Sequence, residues 1–138
     1  MSIFQVEVVS AEGQIFSGEA TAVYAAAITG EIGILPRHAP LLTKLKAGAV
    51  RVQTAAGEQA IFVGGGIMEV QPTLVTILAD SAMRAEHADE AQALAAKQRA
   101  EEMLSSASKE IDLVEAQKEL IEAAARLKFI QDLKKTAS

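Results

Sequence analysis

The chain has 138 residues, half of them hydrophobic, with 13 Lys/Arg against 18 Asp/Glu, a formal net charge of −5 and no cysteine. That length sets a prior of one domain, or one domain with an appendage. The acidic balance and the 4 % of aromatic residues argue against a nucleic-acid binder, which needs a basic face or a stacking surface. The lack of Cys excludes a disulfide framework and a thiolate metal site, and two His without ligand spacing give no zinc site.

The start, Met1-Ser2-Ile3-Phe4-Gln5-Val6-Glu7, has no basic region and no long apolar stretch, so it does not read as a signal peptide. The most apolar run, Ala20 to Ile28, is far short of the ~20 residues that span a bilayer. The expectation is a soluble, cytosolic protein that meets a membrane only through a partner. Ile3 to Val9 alternates as a strand, and Ser10 to Gly13 is a turn. Gln14 to Gly18 and Ala20 to Ile28 read as two further strands. Val50–Thr54 and Gln59–Val63 flank a Gly-containing hairpin loop. Ile67–Val70 and Leu74–Leu78 flank the turn Gln71-Pro72-Thr73. Lys44-Leu45-Lys46 reads as a solvated strand edge, where lysines discourage stray pairing. Many short strands predict a β-sandwich or flattened barrel.

Near Arg84 the pattern changes. From there to Ser138 there is no Gly and no Pro, and Ala, Glu, Gln, Lys and Leu dominate. Asp89-Glu90-Ala91-Gln92 fits a capping box opening a helix that runs to about Leu104. Ser105-Ser106-Ala107-Ser108 interrupts it. Asp112 offers a second cap, and a second helix continues to about Lys135. Apolar residues recur at three-four spacing, Ala93, Ala96, Ala100 and Met103 in the first helix and Leu113, Ala116, Leu120, Ala123, Leu127 and Ile130 in the second. The fold class is thus β followed by α, with a β-sandwich over residues 1–84 and an antiparallel helical hairpin over residues 85–138. The hairpin seam is rich in Ala. It buries little apolar area per contact, which suits a hairpin able to open.

Gly64-Gly65-Gly66 lacks the Lys-Ser/Thr and helix start of a phosphate loop, and reads instead as a close backbone approach. Between Gly30 and Leu42 the chain reads Gly-Glu-Ile-Gly-Ile-Leu-Pro-Arg-His-Ala-Pro-Leu-Leu. Pro36 and Pro40 fix their own φ and bias Leu35 and Ala39 toward extended backbone, displaying Arg37 and His38 on a stiff loop. With Val8-Val9-Ser10-Ala11-Glu12, Phe16-Ser17-Gly18, Gly65 to Val70 and Val75 to Asp80, this segment resembles the epsilon subunit of bacterial F-type ATP synthase along the whole chain.

The resemblance implies a non-catalytic subunit of the rotor's central stalk, peripheral on the cytoplasmic face of the inner membrane. Its partners would be the gamma subunit and the c-subunit ring, with the alpha and beta subunits met by an extended C-terminal arm that restrains ATP hydrolysis. Glu31, Arg37 and His38 match the c-ring contact. Arg126, Lys128, Lys134 and Lys135 would be the arm's basic contacts with acidic segments of the head, although cations near a helix C-terminus also complement its dipole.

Some members of that family bind ATP through an Ile/Leu-Asp-x-x-Arg-Ala motif. Here the stretch is Ala88-Asp89-Glu90-Ala91-Gln92-Ala93, so Asp89 and Ala93 match while Ala88 and Gln92 do not. Gln cannot replace a charged, bidentate phosphate contact. Asp89, Arg99 and Arg126 are the candidate nucleotide contacts, with weak ATP binding the most they imply, and no cofactor is expected. A nucleotide-sensing module is the alternative reading. An enzyme is disfavoured, because Glu31 and His38 are tied to no nucleophile or metal cluster.

Overall fold

The computed structural model describes residues 2–137, with side chains through Lys135. Met1 and Ser138, the ends of the two segments expected from sequence, lie outside the described residues. The chain divides into two compact units, Met1–Glu86 and His87–Ser138.

The first unit is a single hydrogen-bonded path of strands folded over into a sandwich. The strands are β1 (Phe4–Ser10), β2 (Gly13–Ala20), β3 (Ala22–Ala27), β4 (Gly30–Ile34), β5 (Leu41–Thr54), β6 (Gly57–Val70), β7 (Leu74–Ala79) and β8 (Ala82–Arg84). Their order is β2-β1-β7-β6-β5-β3-β4, with β8 paired to β6. β1 and β7 run parallel, and the other pairs are antiparallel. Alternation makes the interior: Phe4, Val6 and Val8 of β1 face Val23 and Ala25 of β3, Val50 and Val52 of β5, Met68 and Val70 of β6, and Val75 and Ile77 of β7 in one buried cluster.

β5 and β6 are each 14 residues long and pair from Leu41↔Val70 to Thr54↔Gly57. β5 thus extends well before Val50. Lys44 and Leu45 are inside a ladder rather than on an edge: Lys44 is opposite Ile67, and its carbonyl accepts a hydrogen bond from the Ile28 amide at 3.0 Å. The lysine side chains stay solvated because they point outward, not because the strand lacks neighbours. β6 likewise runs through Gly64-Gly65-Gly66 instead of breaking there. At this point its second edge changes partner, from β8 at residues 61–63 to β7 at residues 66–70. Gly64 N–H donates to the Ser81 carbonyl at 2.8 Å and Asp80 N–H to the Gly65 carbonyl at 2.9 Å, which carries the ladder around the corner. Gly66 has φ +146°, and a Cβ there would run into the Leu78 carbonyl oxygen and the Ala79 backbone. Only Gly allows two backbones to approach this closely.

The second unit is a helical hairpin, α1 (Glu90–Ser106) and α2 (Glu110–Ala137), preceded by a 3₁₀ turn at Ala85–His87. Asp89 caps α1: its backbone is extended and its carboxylate accepts the Gln92 amide at 3.1 Å. At the other end the Ser105 and Ser106 hydroxyls bond back to the Glu102 carbonyl, competing with helix continuation. α2 begins earlier than the Asp112 cap implied. The Lys109 carbonyl already accepts the Leu113 amide at 3.0 Å, so Asp112 sits inside the first turn, where its charge suits the helix dipole. Ala93 and Ala100 of α1 and Ala116, Ala123, Leu127 and Ile130 of α2 are buried. Met103 and Leu113, expected in the seam, are exposed beside the turn that joins the helices. An ion pair from Lys134 to Glu90 ties the end of α2 to the start of α1.

The corner at Gly66 carries a testable consequence. Gly66→Ala should destabilise the chain by about 2 kcal/mol or more, since both its backbone conformation and the approach of β7 are compromised. Denaturant unfolding monitored by circular dichroism measures this, and a change under about 0.5 kcal/mol would contradict the close-approach account.

Candidate functional site

The loop between β4 and β5 is anchored at both ends by strands and held in the middle by a backbone bond. Arg37 has φ +65°, the only positive value at a non-glycine among the described residues. Its amide donates to the Pro72 carbonyl at 3.0 Å, in the tight turn between β6 and β7. Prolines at 36 and 40 restrict the flanks. His38 Nδ1 lies 2.7 Å from the Ala39 carbonyl, so it is the protonated, donating nitrogen and the other ring nitrogen is left to face outward contacts. A left-handed, exposed Arg costs conformational energy that the loop's anchoring offsets, and such strain gathers at functional surfaces.

Glu31 is engaged elsewhere. It lies on β4, and its carboxylate meets the Arg51 guanidinium of β5 at 2.7 Å. Arg51 also approaches Glu58 at 3.6 Å and stacks 4.9 Å from the centre of the Tyr24 ring. The register explains the stack, because Gly33, Tyr24 and Arg51 are directly opposite one another across β4, β3 and β5. Gly33 has no side chain to block the ring, which would come within 2.9 Å of a Cβ there. Arg37 and His38 thus share one loop, while Glu31 is paired to a residue that sequence reasoning passed over. Residues 20 apart in the chain leave no local signal of that pairing.

The outer face of the sheet carries a second feature. Ile67 and Leu78 are directly opposite each other on β6 and β7, and both are exposed. Leu42 of β5, opposite Glu69, is exposed on the same side. Exposed apolar neighbours on one sheet face mark a docking surface more often than chance scatter does.

Three basic residues of α2 have acidic partners within the hairpin. Arg126 meets Glu122 at 3.3 Å and Lys128 meets Asp132 at 3.3 Å, each one helical turn apart, and Lys134 meets Glu90. The candidate nucleotide residues are similarly occupied: Asp89 caps α1 and Arg126 pairs with Glu122. Arg99 is exposed on α1. α2 also has an apolar face beyond the seam stripe. Ile111, Val114 and Ile121 are 79, 59 and 66 % exposed. At 100° per residue they fall on the side opposite Ala116, Ala123 and Leu127. Their three-and-seven spacing was visible in the sequence, but the seam residues had already accounted for one apolar stripe. Among the described residues no helix is long and apolar enough to cross a membrane.

A strand sandwich of this topology followed by a two-helix hairpin defines the class, a two-unit protein of β followed by α. Residues 3–85 match the family profile of the ATP synthase delta/epsilon chain β-sandwich domain, and residues 86–131 match that of its long α-helix domain. A protein of Nitrosococcus oceani named ATP synthase epsilon chain is 54 % identical over 131 residues, covering 94 % of both chains. One of Halorhodospira halophila with the same name is 49 % identical over 139 residues, covering 99 % of both. The chain belongs to the epsilon-subunit family of F-type ATP synthase. A chain in the mitochondrial ATP synthase of Euglena gracilis has the same fold at 18 % identity, with a TM-score of 0.74 over 100 % of this chain and 83 % of that one. One in the Tetrahymena thermophila central stalk and c ring gives 0.62 at 10 % identity, over 94 % of this chain and 95 % of that one.

Two outcomes follow from the geometry. Arg37→Gly should leave the fold intact and raise stability by a few tenths to about 1 kcal/mol, because Gly adopts the left-handed conformation without penalty. A loss of stability in denaturant unfolding would show that the Arg37 side chain supports the loop. ATP should bind the isolated chain no better than millimolar, about −4 kcal/mol, with Asp89 committed as a cap and Gln92 in the place of a cation. Titration calorimetry tests this, and micromolar binding would contradict it.

Proposed function

We propose that this chain is a non-catalytic rotor subunit of the central stalk of a bacterial F-type ATP synthase, on the cytoplasmic face of the membrane. Its sandwich docks on the gamma subunit through the Leu42–Ile67–Leu78 face and on the c ring through the Arg37–His38 loop. Its hairpin restrains ATP hydrolysis by leaving the docked pairing of α1 with α2 and entering the head of alpha and beta subunits. On this reading residues 1–84 and 85–138 are separate functional pieces, and the first folds without the second.

The observation that carries the reading is the second apolar stripe of α2. A helix that only ever packed on α1 would have no use for Ile111, Val114 and Ile121 on its far side, where they remain in water. A helix that exchanges one set of neighbours for another needs two such faces. The cations fit the same exchange. Lys128 and Asp132 are 77 and 54 % exposed in their side chains, and exposed pairs of this kind contribute only ~0–1 kcal/mol. Arg126, Lys128, Lys134 and Lys135 can therefore be transferred to acidic partners at small cost. A ligand or partner moves such an equilibrium only by its difference in affinity for the two states. ATP sensing is the weaker alternative, since Asp89 and Arg126 already have other partners.

Membranes carrying the assembled enzyme test this. Removing residues 88–138 should raise ATP hydrolysis severalfold and leave proton-driven synthesis largely intact. Ile111→Gln, Val114→Gln and Ile121→Gln together should do much the same, while changing the stability of the isolated chain little, because exposed sites away from caps and cores shift it by about 0.5 kcal/mol or less each. Neutralising the four cations should relieve part of the restraint, most clearly at low ionic strength. Release by truncation with no effect of the triple variant would remove the outer stripe from the mechanism. Unchanged hydrolysis in every form would remove the arm.

A further inference from the structure

Among the described residues β2 and β8 are each paired along one edge, and a side chain joins them. β2 pairs with β1, and β8, three residues long, pairs with β6. The register of β1 with β2 slips between Val8 and Val9. Phe16 is opposite Val8 and Gln14 is opposite Val9, which leaves Ile15 as the extra residue of a β-bulge. The bulge lets Ile15 and Phe16, neighbours in the chain, both pack against the core, which strict alternation forbids. The Ile15 carbonyl accepts the Nε–H of Arg84, the last residue of β8, at 2.7 Å. Beyond Arg84 come the 3₁₀ turn Ala85–His87 and the end of the first unit at Glu86.

We propose that Arg84 is the positioning residue of the arm's pivot: its bond to the Ile15 bulge holds β8 on the sandwich, so that the arm turns about residues 85–89 and does not peel β8 from β6. This rests on the exchange of neighbours by the hairpin proposed above. A strand of three residues paired on one side frays readily, as the ends of a fold do. The Arg84 bond counters this from the other side. It is short and its donor is charged, and such bonds are roughly twice as strong as neutral ones. A hinge works through a few residues at the end of a firmly held element. Arg84 sets the near limit of this one, and the Asp89 cap, where α1 begins, sets the far limit. The length of free connection decides the arm's reach. With β8 released, the connection grows from residues 85–89 to residues 82–89, and an effective concentration that falls with roughly the −3/2 power of length drops about twofold. A looser pivot therefore weakens the restraint on hydrolysis.

Two variants of the full chain separate the bond from the charge. In Arg84→Met the side chain follows the same path as far as Nε with no donor, and Arg84→Gln places a neutral amide N–H at the Nε position. In the isolated chain, hydrogen exchange at residues 82–84 should quicken at least about fivefold in Arg84→Met, as expected for the loss of one net hydrogen bond, and stay within about twofold of wild type in Arg84→Gln. Exchange in β5 should not change in either. In membranes carrying the assembled enzyme, Arg84→Met should raise ATP hydrolysis about twofold and Arg84→Gln should leave it unchanged. Neither substitution should have an effect once residues 88–138 are removed. Equal exchange in wild type and Arg84→Met would refute the anchor. Faster exchange with no rise in hydrolysis would refute the pivot, while the arm reading stands if truncation still raises hydrolysis. A rise in both variants would assign the effect to the charge and overturn the proposal. If truncation leaves hydrolysis unchanged, the arm reading fails and takes the pivot with it. Should Arg84→Met not fold, Arg84→Ala gives the same readout.

Discussion

The pairing of β5 with β6 is the constraint on which the rest of the first unit depends. These two strands run the full length of the sandwich, and β3, β7 and β8 attach to one of them directly, while β4 joins through β3 and β1 through β7. Strands of 14 residues are long for a globular sheet, whose strands usually have about five or six. A strand that long must turn through the twist of both layers. β6 does so at Gly64-Gly65-Gly66, where the lack of side chains lets β7 close in on one side while β5 remains paired on the other. The β6–β7 turn then falls next to the β4–β5 loop, and the outward residues of β5, β6 and β7 fall on one apolar face. Both the loop and the apolar face are consequences of how this hairpin bends.

The second unit obeys a different rule. Its helices are held by small residues, Ala93 and Ala100 against Ala116 and Ala123, with Leu127 and Ile130 toward the far end. Such a seam brings the helices close but buries little apolar area at each layer. Against it stands an outer stripe of larger side chains left in water. On the proposed exchange of neighbours, burying Ile111, Val114 and Ile121 elsewhere would offset the loss of the alanine seam and keep the energy gap between the two states narrow. The exposed ion pairs along α2 add solubility in the docked form without locking it.

Much of this was legible before any coordinates. Alternation gave β1 its inward face, and the absence of Gly and Pro marked the helical part. Asp89 was recognisable as a cap because its carboxylate precedes a helix-period run, and the serines at 105 and 106 end α1 through their own backbone bonds. The misses share a cause, which is that long-range pairing overrides local signals. Lys44-Leu45-Lys46 followed by Ala47 and Gly48 looks like a frayed edge, yet β6 on one side and the β3 end on the other enclose it. The glycine triplet reads rightly as a close backbone approach, but nothing local announces that β6 changes neighbours there. Arg51 carries no local signal, since its partners Glu31, Tyr24 and Glu58 lie on three other strands. Arg37 in a left-handed conformation was hidden for the same reason: the carbonyl that holds it belongs to Pro72. In α2 the signal was present and undercounted, because one apolar stripe already satisfied the expectation of a hairpin.

The central claim is that α2 has two sets of neighbours and exchanges them. Spin labels on Gln98→Cys and Lys118→Cys, exposed positions on α1 and α2, would report the separation of the two helices by pulsed electron resonance. The account predicts one short separation in the isolated chain. In the assembled enzyme, held without a proton gradient and with ADP bound, a second and much longer separation should appear as the hairpin opens. A single short separation under both conditions would mean that the hairpin never opens, and the second stripe would then have no part in regulation.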